Sequence, residues 1–172
     1  MARKPLGKML LEEGRIDELQ LRSALTHRER WGGRIGEALV AMGFVSEQVM
    51  LTALSRQLGV PVVELGRIRV PRAVVQLIPE RLIRQRRAFP VVWLGTPPRG
   101  SLVVAFADPA DLQAVDEVAF AAGVDVRPVL AGAQDLEQAI ARHLDRQVDL
   151  PDAVELPADP GPMRLTGSYW GN

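Results

Sequence analysis

Lys4 and Lys8 are the only lysines in the 172 residues, and His27 and His143 are the only histidines. A phosphate-cradling loop of the Gly-Lys-Ser/Thr kind uses its lysine to reach the phosphates, and Gly7-Lys8 is followed by Met9. Two histidines far apart in sequence make no multi-histidine zinc pattern. Cysteine is absent, which excludes disulfides, thiolate metal sites and a cysteine nucleophile. Asp116 and Glu117 are adjacent, so on a helix they diverge and form no carboxylate dyad. Binding chemistry remains. Gly7 and Gly36 fall near helix starts, where glycine costs helix stability. A missing side chain there lets a ligand approach the backbone, and the free N–H groups of a helix start can hold an anion. The competing explanation is close helix packing, which internal repetition taken alone favours. Gly33-Arg-Ile-Gly36 matches the GxxG loop that clamps a nucleic-acid backbone. That loop needs flanking strands, however, and this one lies inside a helical repeat, so neither DNA nor RNA is expected as a partner. Arg81, Arg84, Arg86 and Arg87 cluster on one helix, as a docking patch or, in preference, as a solvated face.

The elements that position these residues come from a duplication. At an offset of 29 residues the chain aligns with itself without gaps, pairing Gly7 with Gly36, Leu10 with Leu39, Gly14 with Gly43, Glu18 with Glu47, Ala24 with Ala53 and Leu25 with Leu54. Leu6/Ile35, Ile16/Val45 and Leu21/Met50 are conservative pairs. Each copy reads as a short helix, a turn and a longer helix. Gly14 and Gly43 suit the left-handed residue at a helix C-terminus, and Asp17 and Ser46 follow as N-caps. Asp17 with Gln20 resembles a capping box. Leu21, Ala24 and Leu25, like Met50, Ala53 and Leu54, keep the spacing of a buried helical face. One copy cannot cover that stripe; two stacked about a pseudo-two-fold axis can.

After Gly59 the pattern changes. Pro61 to Glu64 is a short strand candidate, and 71–87 is helical with an interruption at Pro79. Phe89–Leu94, Leu102–Ala107 and Val124–Leu130 have strand character. A helix is expected to open at Asp108-Pro109, with Asp as N-cap and Pro in its first turn, and to end at Gly123. Gln134–Leu144 is a last helix. The fold class is therefore α+β: a duplicated helix-pair subdomain over 1–59, then a three- to four-stranded sheet with helices over 60–144. Residues 145–172 hold four prolines and a net charge of −3, and read as a disordered tail. Zero net formal charge over the whole chain argues against a nucleic-acid coater or a membrane-surface protein. The first residues lead into a charged amphipathic stretch and not a signal core. No run approaches the ~18 apolar residues of a spanning helix, so no membrane insertion and a cytoplasmic location are expected.

The repeat resembles the paired motif of the MshEN domain, found at the N-terminus of type II secretion and type IV pilus assembly ATPases. That pattern is Arg-Leu-Gly-x-x-Leu-x-x-x-Gly, then two leucines at helical spacing, then Gln. The copies here are 5–28 and 34–57, with Glu29-Arg-Trp-Gly-Gly33 as spacer. The second keeps Arg34, Ile35, Gly36, Leu39, Gly43, Met50, Leu54 and Gln57. The first keeps Leu6, Gly7, Leu10, Gly14, Leu21 and Leu25, but Pro5 replaces the arginine and Arg28 the glutamine. Leu77-Ile-Pro-Glu80, Phe106-Ala-Asp-Pro109 and Val129-Leu-Ala131 are further points of likeness, so the resemblance spans about 5–144. The ATPase motor would follow where this chain ends.

The resemblance implies a non-catalytic receptor for cyclic di-GMP, with no other cofactor and no metal, serving a secretion, pilus or other motility-system protein. A two-fold symmetric dinucleotide suits a duplicated motif. Leu6, Leu10, Leu21, Leu25, Ile35, Leu39, Met50 and Leu54 would make an apolar floor under the bases. Arg34 would lie on a guanine face or pair with a phosphate, Gln57 would bond the guanine edge, and Gly7 and Gly36 would admit the ligand. Glu37 belongs to the same surface. Arg28 could replace the glutamine by a bidentate contact to guanine, or pair with Glu29 or Glu37. His27 adjoins it, with an exposed surface histidine as the plainer expectation. Trp31 would pack at the helix junction or stack on a base, packing being favoured. The alternative function is a protein–protein adaptor that has lost the nucleotide.

Overall fold

The computed structural model describes residues 4–96 and 99–145. The expected tail lies outside the described residues, Asp145 excepted. The chain forms two compact units, Met1–Gly59 and Val60–Asn172.

The first unit is built of four helices: α1 (Leu6–Glu12), α2 (Glu18–Trp31), α3 (Ile35–Ala41) and α4 (Glu47–Leu58). The duplication is visible bond by bond. Arg15 N–H donates to Leu10 O at 2.9 Å and Phe44 N–H to Leu39 O at 2.9 Å; Gly14 N–H donates to Leu11 O at 3.0 Å and Gly43 N–H to Val40 O at 2.9 Å. Both closures need a left-handed residue, and Gly14 (φ 64°) and Gly43 (φ 71°) supply it. Asp17 Oδ1 accepts from Gln20 N–H at 2.7 Å while Gln20 Oε1 accepts from Asp17 N–H at 2.9 Å, a complete capping box. Ser46 Oγ accepts from Val49 N–H. The core is equally paired: Leu10 with Leu39, Ile16 with Val45 and Ala24 with Ala53 are buried together with Leu6 and Ala38. Besides the contacts within each copy, packing runs across the repeat, α1 against α4 and α2 against α3, so neither copy closes its apolar stripe alone.

The second unit holds β1 (Ala88–Thr96), β2 (Arg99–Phe106) and β3 (Asp125–Leu130) in the order β1-β2-β3. β1 pairs antiparallel with β2, and β2 parallel with β3. The parallel crossover is carried by α7 (Leu112–Ala122), after the short helices α5 (Arg72–Val75) and α6 (Glu80–Arg86); α8 (Ala133–Ile140) follows β3. Phe89, Val91, Leu102, Val104, Phe106, Ile83, Val118 and Leu136 are among the buried core. The candidate strand at 61–64 contributes one parallel bridge, Val62 to Leu130; Leu130 donates to Pro61 O at 2.9 Å and accepts from Val63 N–H at 2.8 Å. Asp135 of α8 clamps the turn that follows, accepting from Leu65 N–H at 2.6 Å and Gly66 N–H at 2.9 Å.

One expectation is corrected here. The crossover helix opens at Leu112, not at Asp108. Asp111 is its N-cap, accepting from Ala114 N–H at 3.1 Å, while Asp108 turns back on Ala110 N–H. Asp111 is the carboxylate that reaches the third helical N–H, and that reach defines a cap. The arginine cluster is exposed at Arg81, Arg84 and Arg87, as expected of a solvated face, and half-buried at Arg86. Arg86 grips Glu117 with two bonds of 2.7 and 2.5 Å, Arg84 pairs with Glu80 and Asp145, and Arg87 pairs with Glu137.

Candidate functional site

The spacing of Leu21, Leu25 and Arg28 along α2 is repeated by Met50, Leu54 and Gln57 along α4, so each triplet lies on one helical face. Leu21, Leu25, Ile35, Met50, Leu54 and Gln57 are half-buried, and Arg28, Arg34 and Glu37 are exposed. Leu6, Gly7, Leu10, Gly36 and Leu39 are buried. At 0% exposure, Leu10 and Leu39 support this surface from beneath and present no area to a ligand.

The glycine geometry relates the two copies. A Cβ added at Gly7 would lie 2.6 Å from Leu21 Cδ1 and 3.8 Å from Ile35 Cγ1; one added at Gly36 would lie 3.1 Å from Met50 Cγ and 3.1 Å from Leu6 Cδ2. Each glycine therefore receives the long-helix residue of its own copy and the first short-helix residue of the other. The starts of α1 and α3 meet about the pseudo-two-fold axis, flanked by Leu21 and Met50. In this structure the glycines serve helix packing. Their notches are filled by side-chain ends, which a ligand approaching the backbone would have to displace.

The polar ends of the copies differ. The α2–α3 connection, containing Gly32 (φ 74°) and Gly33 (φ 84°), brings Arg28 and Arg34 to one end. Arg34 precedes α3 in extended conformation, and its N–H donates to Glu37 Oε2 at 3.2 Å. The side chain of Glu37 thus caps α3. Arg28 has no hydrogen-bond or ion-pair partner for its side chain among the described residues, so neither Glu29 nor Glu37 takes it up. At the other end, Gln57 Nε2 donates to Lys4 O at 2.7 Å. This bond stands at the symmetry-related place of the α2–α3 connection: the chain joins α2 to α3, and Gln57 joins α4 to the residues before α1. Lys4 itself is ion-paired with Glu12.

Two contacts lie beyond what the sequence indicates. The Gln57–Lys4 bond and the Arg56–Glu13 ion pair at 2.8 Å join residues too distant for helical spacing to suggest. His27 is half-buried, and its Nδ1 is enclosed without a partner among the described residues, which corrects the exposed histidine. Trp31, expected to pack, is 79% exposed. Helix α2 ends there at Gly32, beyond the reach of the unit's core. A hollow of about 190 Å³ lined by Glu13, Arg15, Gln48, Val49, Thr52, Ala53 and Arg56 opens on a different face of α4 from Met50, Leu54 and Gln57. It is smaller than the roughly 300–1,000 Å³ of ordinary ligand clefts. No cluster of metal-ligating side chains, and no helix long and apolar enough to cross a membrane, occurs among the described residues.

Known proteins resemble this chain in sequence and in fold. The type IV pilus assembly ATPase PilB of Myxococcus xanthus is 34% identical over 138 residues, 80% of this chain and 24% of that protein. PilB of Thermus thermophilus is 31% identical over 140 residues, 81% of this chain and 16% of that protein. The chain thus spans a quarter or less of these relatives. Its 138 aligned residues outnumber the 113 from Val60 to Asn172, so the likeness reaches into the helical unit. Among solved structures, MshE with cdg superposes with a TM-score of 0.71 at 35% identity, covering 82% of this chain and 99% of the other. The N-terminal domain of XpsE superposes at 0.63 and 26% identity, covering 83% and 98%. The MshEN domain description matches residues 58–150, the sheet-containing unit and not the helical repeat. With more than half of its residues matched in this way, the chain belongs to the MshEN domain family.

Proposed function

We propose that the helical unit is a receptor for cyclic di-GMP and that the chain acts as a non-catalytic regulatory module in the cytoplasm. Its partner would be a protein of a secretion, pilus or other motility system. The observation that carries this reading is the pseudo-two-fold pairing of the glycine notches, with Leu21 and Ile35 at Gly7 matched by Met50 and Leu6 at Gly36. A symmetric dinucleotide would lay one base over each half, its apolar faces on the leucines and Met50, with Arg34 and Arg28 supplying charge-assisted contacts at one end. The solved relative described as MshE with cdg supports the choice of ligand. Neutral net charge and the intramolecular ion pairs of the arginine cluster speak against a nucleic-acid partner.

A second reading is favoured by specific observations. Pro5 cannot supply the motif's first arginine, Gln57 is engaged by Lys4 O, and both glycine notches are filled. A protein–protein adaptor that has lost the nucleotide would look the same. Titration calorimetry with cyclic di-GMP separates the two. Receptor function predicts saturable heat, weakened roughly ten- to a hundredfold by Arg34→Ala and by Arg28→Ala, as expected for a lost charge-assisted contact. Absence of heat at high micromolar ligand favours the adaptor.

A further inference from the structure

We propose that the two halves of the motif face prefer different bases. The end carrying Arg28 selects guanine, the end carrying Gln57 also admits adenine, and a mixed cyclic dinucleotide of one guanine and one adenine is therefore a ligand. The inference rests on the reading that this face takes a cyclic dinucleotide.

Helix pairing decides which side chains share an end. Since α1 packs on α4 and α2 on α3, Arg28 shares its end with the start of α3, and Gln57 shares its end with the start of α1. The Gln57 end has no free cation from Lys4, whose ammonium pairs with Glu12. The Arg28 end presents an exposed guanidinium with no side-chain partner among the described residues. A guanidinium carries donors only. It matches the O6 and N7 acceptors of guanine and meets a competing N6–H donor on adenine. The Gln57 amide has committed one N–H to Lys4 O and keeps a second N–H and its Oε1. That donor–acceptor pair fits adenine N6–H and N7, and its oxygen also accepts from guanine N–H groups. At one end the amide closes a gap between helices. At the other the chain itself closes the gap, which leaves position 28 without that duty.

The test titrates the full chain with cyclic di-GMP, mixed cyclic GMP–AMP and cyclic di-AMP, for the unaltered protein and for Arg28→Gln. The mixed ligand is expected within about threefold of cyclic di-GMP, with cyclic di-AMP weaker by roughly ten- to a hundredfold, the worth of one bidentate base contact. Arg28→Gln, which gives both ends the same residue at this repeat position, should reduce the gap between the mixed ligand and cyclic di-AMP to about threefold or less. A mixed ligand as weak as cyclic di-AMP, or a gap that persists in Arg28→Gln, overturns the preference while leaving the receptor reading intact. If none of the three ligands binds the unaltered protein, the receptor reading fails and this inference falls with it.

Discussion

Replacing Gln57 by alanine removes a 2.7 Å hydrogen bond from its amide to Lys4 O, the link that holds the end of α4 to the start of α1. A neutral hydrogen bond of this kind contributes about 1 kcal/mol net. For a cooperative unit of about sixty residues, 1 kcal/mol lowers Tm by roughly 4–8 °C. Arg28→Ala is the matched control. It changes the same repeat position, but the side chain is exposed and, among the described residues, unpartnered, so stability should move by less than about 0.5 kcal/mol. Differential scanning calorimetry of both variants supplies the comparison. Hydrogen exchange at Met9, whose N–H closes the first turn of α1 on Pro5 O at 3.1 Å, localises the effect. Loss of 1 kcal/mol should speed that exchange about fivefold in Gln57→Ala. Equal Tm shifts in the two variants, or unchanged Met9 protection in Gln57→Ala, would refute the idea that the amide replaces a covalent connection.

Gly7→Ala places a methyl 2.6 Å from Leu21 Cδ1. That methyl meets the flexible end of a half-buried side chain, so an overpacking cost near the low end of about 1–3 kcal/mol should roughly cancel the ~1 kcal/mol gained in helix propensity. A double-mutant cycle with Leu21→Ala in urea unfolding should return a coupling of at least about 0.5 kcal/mol, and additive effects would deny the contact. Asp135→Ala strips two backbone N–H groups, on Leu65 and Gly66, of their charged acceptor; unfolding of the second unit should lose about 2–3 kcal/mol by chemical denaturation. Arg86→Ala breaks the paired bonds to Glu117, whose side chain is 36% exposed against 25% for Arg86. That partial exposure limits the loss in denaturant melts to about 1–2 kcal/mol, and Arg86→Lys should recover less than half because lysine has no fork.

The helical unit was legible because its signals are local. A left-handed glycine, a cap three residues later and an apolar stripe each act within a few residues, and the offset of 29 residues displays each of them twice. The face containing Leu21, Leu25 and Arg28 followed from helical spacing for the same reason. The filling of the glycine notches did not, since it depends on rotamers of Leu21 and Met50 settling against another helix. Arg56–Glu13 and Gln57–Lys4 span 43 and 53 residues, beyond any periodicity. Asp108 and Asp111 offered two carboxylates for one helix start, and only the folded turn chose between them. Trp31 departs from the expectation that a large aromatic finds a core, because α2 outruns the core of its unit.

Leu130 turns both its N–H and its C=O outward, to Pro61 and Val63. Residues two apart along a strand face the same way, so Pro128 also points its backbone away from β2. Proline has no N–H to offer there, and costs the ladder with β2 nothing. The outer rim of β3 is thus blunted twice, by the 61–63 segment at its last residue and by a missing donor two residues before. A passing strand, from another copy or from a chain still folding, finds no continuous row of donors and acceptors to extend. The sheet of three strands among the described residues is in this way guarded against growing by recruitment along β3.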